Sequence, residues 1–128
     1  MIDGVIARRR SQRDALLAVA RQWADRAGPI LQARAVVVVG SVARGDFNKW
    51  SDIDVLVVAD DLPPTFAERL ALLAPTRRPP GVEAILWTPA ELAARRSRGT
   101  DPLANDAYGA GMVVYGALPA ETPSAGRG

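Results

Sequence analysis

Two aspartates, Asp52 and Asp54, stand at the head of an otherwise apolar run, Ser51-Asp52-Ile53-Asp54-Val55-Leu56-Val57-Val58-Ala59. Residues two apart in a strand point to the same face, so both carboxylates project together. Two anions side by side in a hydrophobic strand repel each other and resist desolvation. A divalent cation resolves both problems, and Mg²⁺ is held by one or two carboxylates together with substrate phosphates. The structural alternative is that Asp52 caps the strand start while Asp54 faces solvent. Ten residues before the pair lies Gly40-Ser41. Glycine lets the backbone approach a phosphate and take a positive φ. The next serine offers a hydroxyl and an amide, and a helix starting there adds its dipole. On its own the dipeptide reads equally as a strand-to-helix turn with Ser41 as N-cap.

Composition narrows the chemistry. The chain has no cysteine and no histidine, which excludes disulfides, thiolate or imidazole metal ligands, and Ser-His-Asp or Cys-His catalysis. Acid–base and metal work therefore falls to carboxylates, which suit hard ions. A length of 128 residues with 48% hydrophobic and 23% charged side chains is that of one soluble domain with a compact core. Net charge is only +2, and Lys49 is the sole lysine. That balance argues against a nucleic-acid binder, and Arg8-Arg9-Arg10 and Arg95-Arg96 read as solvated helix faces. No apolar signal core or membrane span is visible, which points to a cytoplasmic protein.

The elements that must position these residues follow from periodicity and punctuation. Leu16, Ala20, Trp23 and Ala27 recur at helical spacing between Ser11 and Ala27, with Gly28-Pro29 as the stop. Val36-Val37-Val38-Val39 ends a strand from Ala33 with no polar face, as in a sheet covered on both sides. A second strand runs from Ser51 to Ala59. Thr65 and Glu68 cap a helix carrying Phe66, Leu70 and Leu73, which Pro75 ends. A third strand spans Val82 to Trp87. Thr88-Pro89-Ala90-Glu91 is a strong helix start, Asp101-Pro102 opens another helix to Ala110, and Met112 to Tyr115 is a last strand. Residues 117–128 read as a disordered tail after a domain at 1–116. The connection between the first two strands is too short for a full crossover helix, so they are expected antiparallel. Trp23 is expected in the core and Trp87 in the core or at a strand edge. Trp50 stacks on a base or partner, or packs on its own loop.

The string Gly40-Ser41-Val42-Ala43-Arg44-Gly45, followed by Ser51-Asp52-Ile53-Asp54-Val55-Leu56-Val57, resembles the nucleotidyltransferase superfamily that includes DNA polymerase beta, and within it the minimal (MNT) branch. The likeness covers roughly residues 10–116, and its residue types and spacing coincide together. It implies an α/β (α+β) domain with a small mixed sheet flanked by helices. It further implies transfer of a nucleoside monophosphate, AMP from ATP, to a hydroxyl acceptor with Mg²⁺. By the resemblance Gly40 and Ser41 contact the terminal phosphates, Asp52 and Asp54 ligate the metals, and Arg44 binds phosphate or pairs with a carboxylate. A surface pair with Asp46 is the plainer role for Arg44. The family's third acidic residue, usually Asp, is matched by Glu83, the one acidic residue of the third strand. Glu83 is expected to ligate metal or to act as base, the alternative being a solvent-facing residue at the strand end.

Minimal members pair with HEPN-type proteins in toxin–antitoxin systems, which makes a helical HEPN-type partner the expected acceptor. Two alternatives stand beside it: an aminoglycoside-like small-molecule enzyme, and a non-enzymatic antitoxin-like module with a relic site. Small-molecule members carry an added helical domain for which 128 residues leave no space. A partner's landing surface is expected near Trp50, Tyr108 and Tyr115. The sequence does not choose between a monomer and an oligomer.

Overall fold

The computed structural model describes residues 2–48 and 52–121. It opens with α1 (Ile2–Leu31), a thirty-residue helix whose buried residues Leu17, Ala20, Trp23, Ala24, Ala27 and Leu31 form one stripe. Trp23 lies wholly in the core, its indole N–H donating to Thr76 Oγ1 at 3.2 Å. The helix exceeds the expected Ser11–Ala27 at both ends. At the start, the helix runs on through Ser11 to Ile2, and Arg9 and Arg13 tie this extension to backbone acceptors in the segment after the first strand. At the end, Gly28 is not a stop: a Cβ there would meet the Tyr115 ring at 2.4 Å. Gly28 lets the last strand pack against the helix, and Pro29 is accommodated in the final turns. Termination falls instead at Gln32, whose φ of 52° is left-handed.

Four strands form one sheet in the order β3-β2-β1-β4, namely β1 (Ala33–Val39), β2 (Ile53–Ala59), β3 (Val82–Trp87) and β4 (Met112–Gly116). β1 runs antiparallel to both β2 and β4, as its short link to β2 dictates, while β2 and β3 are parallel. The sheet is therefore mixed. On one face Val36, Val38, Val55, Val57 and Val82 pack with α1. On the other, Val37, Val39, Leu56 and Val58 pack with α4 (Pro89–Arg98) and α5 (Pro102–Tyr108) through Leu92, Ala104 and Ala107. Covered on both sides, Val36 to Val39 are fully buried.

The remaining elements follow their caps. α2 (Gly40–Arg44) is a single short helix between β1 and β2, closed by Gly45. Thr65 caps α3 (Phe66–Ala71), and a 3₁₀ turn at Ala74–Thr76 holds Pro75. Thr88 and Glu91 form a full capping box on α4, and the Asp101 carboxylate accepts from the amides of Leu103 and Ala104 at the start of α5. α5 ends at Tyr108 rather than Ala110, because the amides of Gly109 and Gly111 both turn back to the Asp106 carbonyl. Residues 117–121 lie against the domain, with the Ala117 amide on Arg34 O and the Tyr108 hydroxyl donating to Pro119 O. Among the described residues no helix is long and apolar enough to cross a membrane.

Candidate active site

β1 ends at Val39, and the chain turns at Gly40 with φ +72°. That backbone conformation disfavours any side chain, and the space for one is taken: a Cβ at Gly40 would meet Asp54 Oδ2 at 2.5 Å. The glycine is thus what lets the Asp54 carboxylate lie directly against the backbone at the start of α2. Asp54 is the second residue of β2 and pairs with Val39 on β1. Its parity is that of Leu56 and Val58, so it points to the α4/α5 face. Asp52 lies one residue before the strand and shares that parity. It is exposed, whereas Asp54 is half-buried.

Glu83 on β3 is the parallel register partner of Asp54. Neighbouring strands lie about 4.8 Å apart, so the two carboxylates project from adjacent positions on one face. Glu83 is solvent-exposed and sits one residue inside its strand. The fold thus gathers Gly40, Ser41, Asp52, Asp54 and Glu83 at one end of the sheet. Burial pushes the Asp54 carboxyl above its ordinary range, the charges of Asp52 and Glu83 push it further, and Arg44 opposes them. Among the described residues no group of three or more carboxylates is gathered closely enough to hold a metal ion.

Arg44 is half-exposed and makes two ion pairs. Its Nε donates to Asp46 Oδ2 at 3.3 Å, the pair the sequence offered as the plainer role. Its Nη1 donates to Asp106 Oδ2 at 2.7 Å, and the same oxygen accepts from the Gly40 amide at 3.1 Å. Asp106, on α5, was absent from the sequence reading. Arg13 was absent too and has no signal in the sequence, and Arg9 has more contacts than a solvated face implies. Arg13 donates from Nε to Val42 O at 2.9 Å and from Nη2 to Ala43 O at 2.7 Å. Arg9 donates to the carbonyls of Gly45 and Phe47 and covers the Phe47 ring, its guanidinium carbon 4.7 Å from the centroid. Arg9 is exposed, as a solvated face implies, but its guanidinium also clamps these carbonyls. Arg95 and Arg96 are part-exposed and likewise engaged: Arg95 stacks on Trp87 and pairs with Asp101, and Arg96 pairs with Glu121.

Tyr108 and Tyr115 do not make a common landing surface. Tyr115 packs over Gly28 on the α1 side, and Tyr108 sits on the α4/α5 side with Pro119 and Arg96. Lys49, Trp50 and Ser51 fall outside the described residues. A groove of about 370 Å³ runs along β3 between Phe66, Leu70, Trp87 and Arg95, but none of Gly40, Asp52, Asp54 or Glu83 lines it.

A glycine turn closing one central strand, an Asp-x-Asp opening its antiparallel neighbour and an acid in register on the third define the nucleotidyltransferase fold. A solved structure bears this out: a proposed nucleotidyltransferase of Sulfolobus solfataricus superposes with a TM-score of 0.58 at 24% identity, over 65% of this chain and 76% of that one. At that identity the likeness is one of fold. The profile of the family described as "Nucleotidyltransferase domain" matches residues 21–98. The chain belongs to that family, within the DNA polymerase beta-like nucleotidyltransferases. No curated protein matches the chain.

Proposed function

We propose that the domain transfers a nucleoside monophosphate, AMP from ATP in the first instance, to a hydroxyl group on a partner protein. The observation that carries this reading is the conjunction at Gly40. A carboxylate fills the space that any side chain would need, and Asp52 and Glu83 share its face of the sheet. The donor set fits a magnesium nucleotide: every candidate ligand is a hard oxygen, and Mg²⁺ needs only one or two carboxylates when substrate phosphates complete its shell. Asp52 and Asp54 are the residues to hold the ion, which when bound neutralises the triphosphate and the departing pyrophosphate.

The chain's own residues supply the rest. Gly40 brings bare backbone to the phosphates, Ser41 offers its hydroxyl and amide, and Arg44 adds a cation. The acceptor oxygen attacks the α-phosphorus while the bond to the pyrophosphate oxygen breaks, and the acceptor's proton passes to a carboxylate. Glu83 is the residue for that proton.

Asp52 and Glu83 are open to solvent. Water exclusion and acceptor alignment, which supply much of the acceleration in such reactions, then fall to whatever docks over this end of the sheet. The likeness to the minimal branch makes a helical HEPN-type protein the first partner to try. The test is incubation of the purified protein with Mg²⁺ and α-labelled ATP, with and without that partner. Label transferred to the partner and abolished by Asp54→Asn supports the reading. Efficient labelling of aminoglycosides by the domain alone overturns the protein acceptor. Tight partner binding that survives Asp54→Asn without any labelling marks an occluding module instead.

A further inference from the structure

We propose that Asp106, on α5, is a positioning residue of this site, fixing the Gly40 turn and aiming Arg44 at the nucleotide phosphates. The inference rests on the nucleotide reading above and adds a residue from far outside the Gly40–Asp54 segment. One oxygen, Asp106 Oδ2, accepts both the Gly40 amide and an Arg44 N–H. Gly40 and Arg44 stand at opposite ends of the five-residue α2, a backbone rise of about 6 Å at 1.5 Å per residue, and the Arg44 side chain reaches back along it to the shared oxygen. A single carboxylate therefore ties the turn end to end, with Ser41 between its two holds.

α5 does not need this acid to seat itself. Ala104 and Ala107 are buried against the sheet, and Asp101 caps the helix start. Asp106 is the only charged residue in Pro102–Tyr108, and it is aimed at the turn rather than at water. The two anions on Arg44 also differ in kind. The Asp46 side chain is 63% exposed and the Asp106 side chain 14%. A half-exposed ion pair adds little net stability. What a shielded carboxylate does give is one direction for a guanidinium, and a planar fork recognises phosphate oxygens only when it is aimed. Arg13 complements it at the carboxyl end of α2 by holding the Val42 and Ala43 carbonyls.

The experiment measures Mg-ATP affinity by calorimetry, with urea denaturation in parallel, for wild type, Asp54→Asn, Arg44→Ala, Asp106→Ala and the Arg44→Ala/Asp106→Ala double variant. Asp106→Ala is expected to weaken binding on the order of ten-fold, the worth of one oriented charge-assisted hydrogen bond. In the Arg44→Ala background the same change is expected to cost clearly less, leaving only the share that comes from the hold on the Gly40 amide. Asp106→Glu, which keeps the anion, is expected to recover part of the loss, and Asp106→Asn replaces alanine if the latter does not fold. An equal loss with and without Arg44 overturns the proposal, because Asp106 then acts through the fold alone. Tighter binding by Asp106→Ala also overturns it, since the carboxylate would then be a competitor of the phosphates. If wild type binds no better than Asp54→Asn, the nucleotide reading fails and this inference falls with it.

Discussion

Gly40 carries a prediction that separates strain from displacement. In Gly40→Ala the residue keeps a φ near +72°, which costs an L-residue about 1–2 kcal/mol. Its Cβ also arrives 2.5 Å from Asp54 Oδ2, where ordinary contact begins at 3.4 Å. The carboxylate is the far end of a short side chain and yields by rotating, at about 0.5–1.5 kcal/mol for an off-rotamer torsion. The expected stability loss is therefore about 1.5–3.5 kcal/mol, read as a shift of the urea midpoint at constant slope. The larger effect falls on function. A catalytic group moved by about 1 Å costs on the order of 10²-fold in rate. Gly45 supplies the control: it too is left-handed, at φ +87°, but nothing lies within 4 Å of the Cβ it would gain. Gly45→Ala should pay the strain, about 1–2 kcal/mol, and keep its Mg-ATP affinity and transfer rate. Equal functional loss in both variants would refute the reasoning, because backbone strain and not the Asp54 position would then govern the site.

Three further outcomes follow from the same packing. The Asp54 carboxyl is raised by burial and by its two acidic neighbours, so protonation favours the folded state. Its contribution is fully present below the ordinary value near 3.8 and is lost as pH rises through the elevated folded value. In EDTA, Asp54→Asn should accordingly be more stable than wild type at neutral pH, with the gap closing as pH falls to 4 in denaturant titrations. Arg13→Ala removes two charge-assisted bonds to α2 carbonyls and should cost about 1.5–3 kcal/mol by urea denaturation. Gly28→Ala drives a methyl into the Tyr115 ring and should cost about 1–3 kcal/mol as overpacking. Most of that should return when Tyr115 is shortened to Leu.

The parts of the site legible in the sequence are those that local rules create. Asp52 and Asp54 share a face because strands alternate, and Gly40 ends a strand that has no polar side. The short link to the second strand made the first pair antiparallel. Glu83 stood out as one charge in an apolar strand, although its register with Asp54 comes from a parallel pairing that no local rule specified. What stayed hidden depends on contacts between distant segments. Arg44 and Asp106 are 62 residues apart, and Arg9 and Arg13 reach carbonyls about thirty or more residues away. Nothing in an arginine-rich helix start distinguishes a solvated face from a clamp, because the acceptors are backbone groups present in every sequence. Gly28-Pro29 misled for a related reason. Both residues end helices by default, but here the glycine is retained for the space that Tyr115 takes.

Asp106 differs from these because a usable signal existed. It is the lone charge in a helix of small apolar and neutral polar residues, the same anomaly that drew attention to Glu83. An acid so placed must find a donor, and the helix it sits on packs against β1, which leads into Gly40. An isolated charge on a packed helix, as on a packed strand, points to a partner, and for Asp106 that partner is the Gly40 turn. The fold then presents that turn held at its amino end by an anion and at its carboxyl end by a cation. Both charges suit the helix dipole, so the turn is set before any ligand arrives.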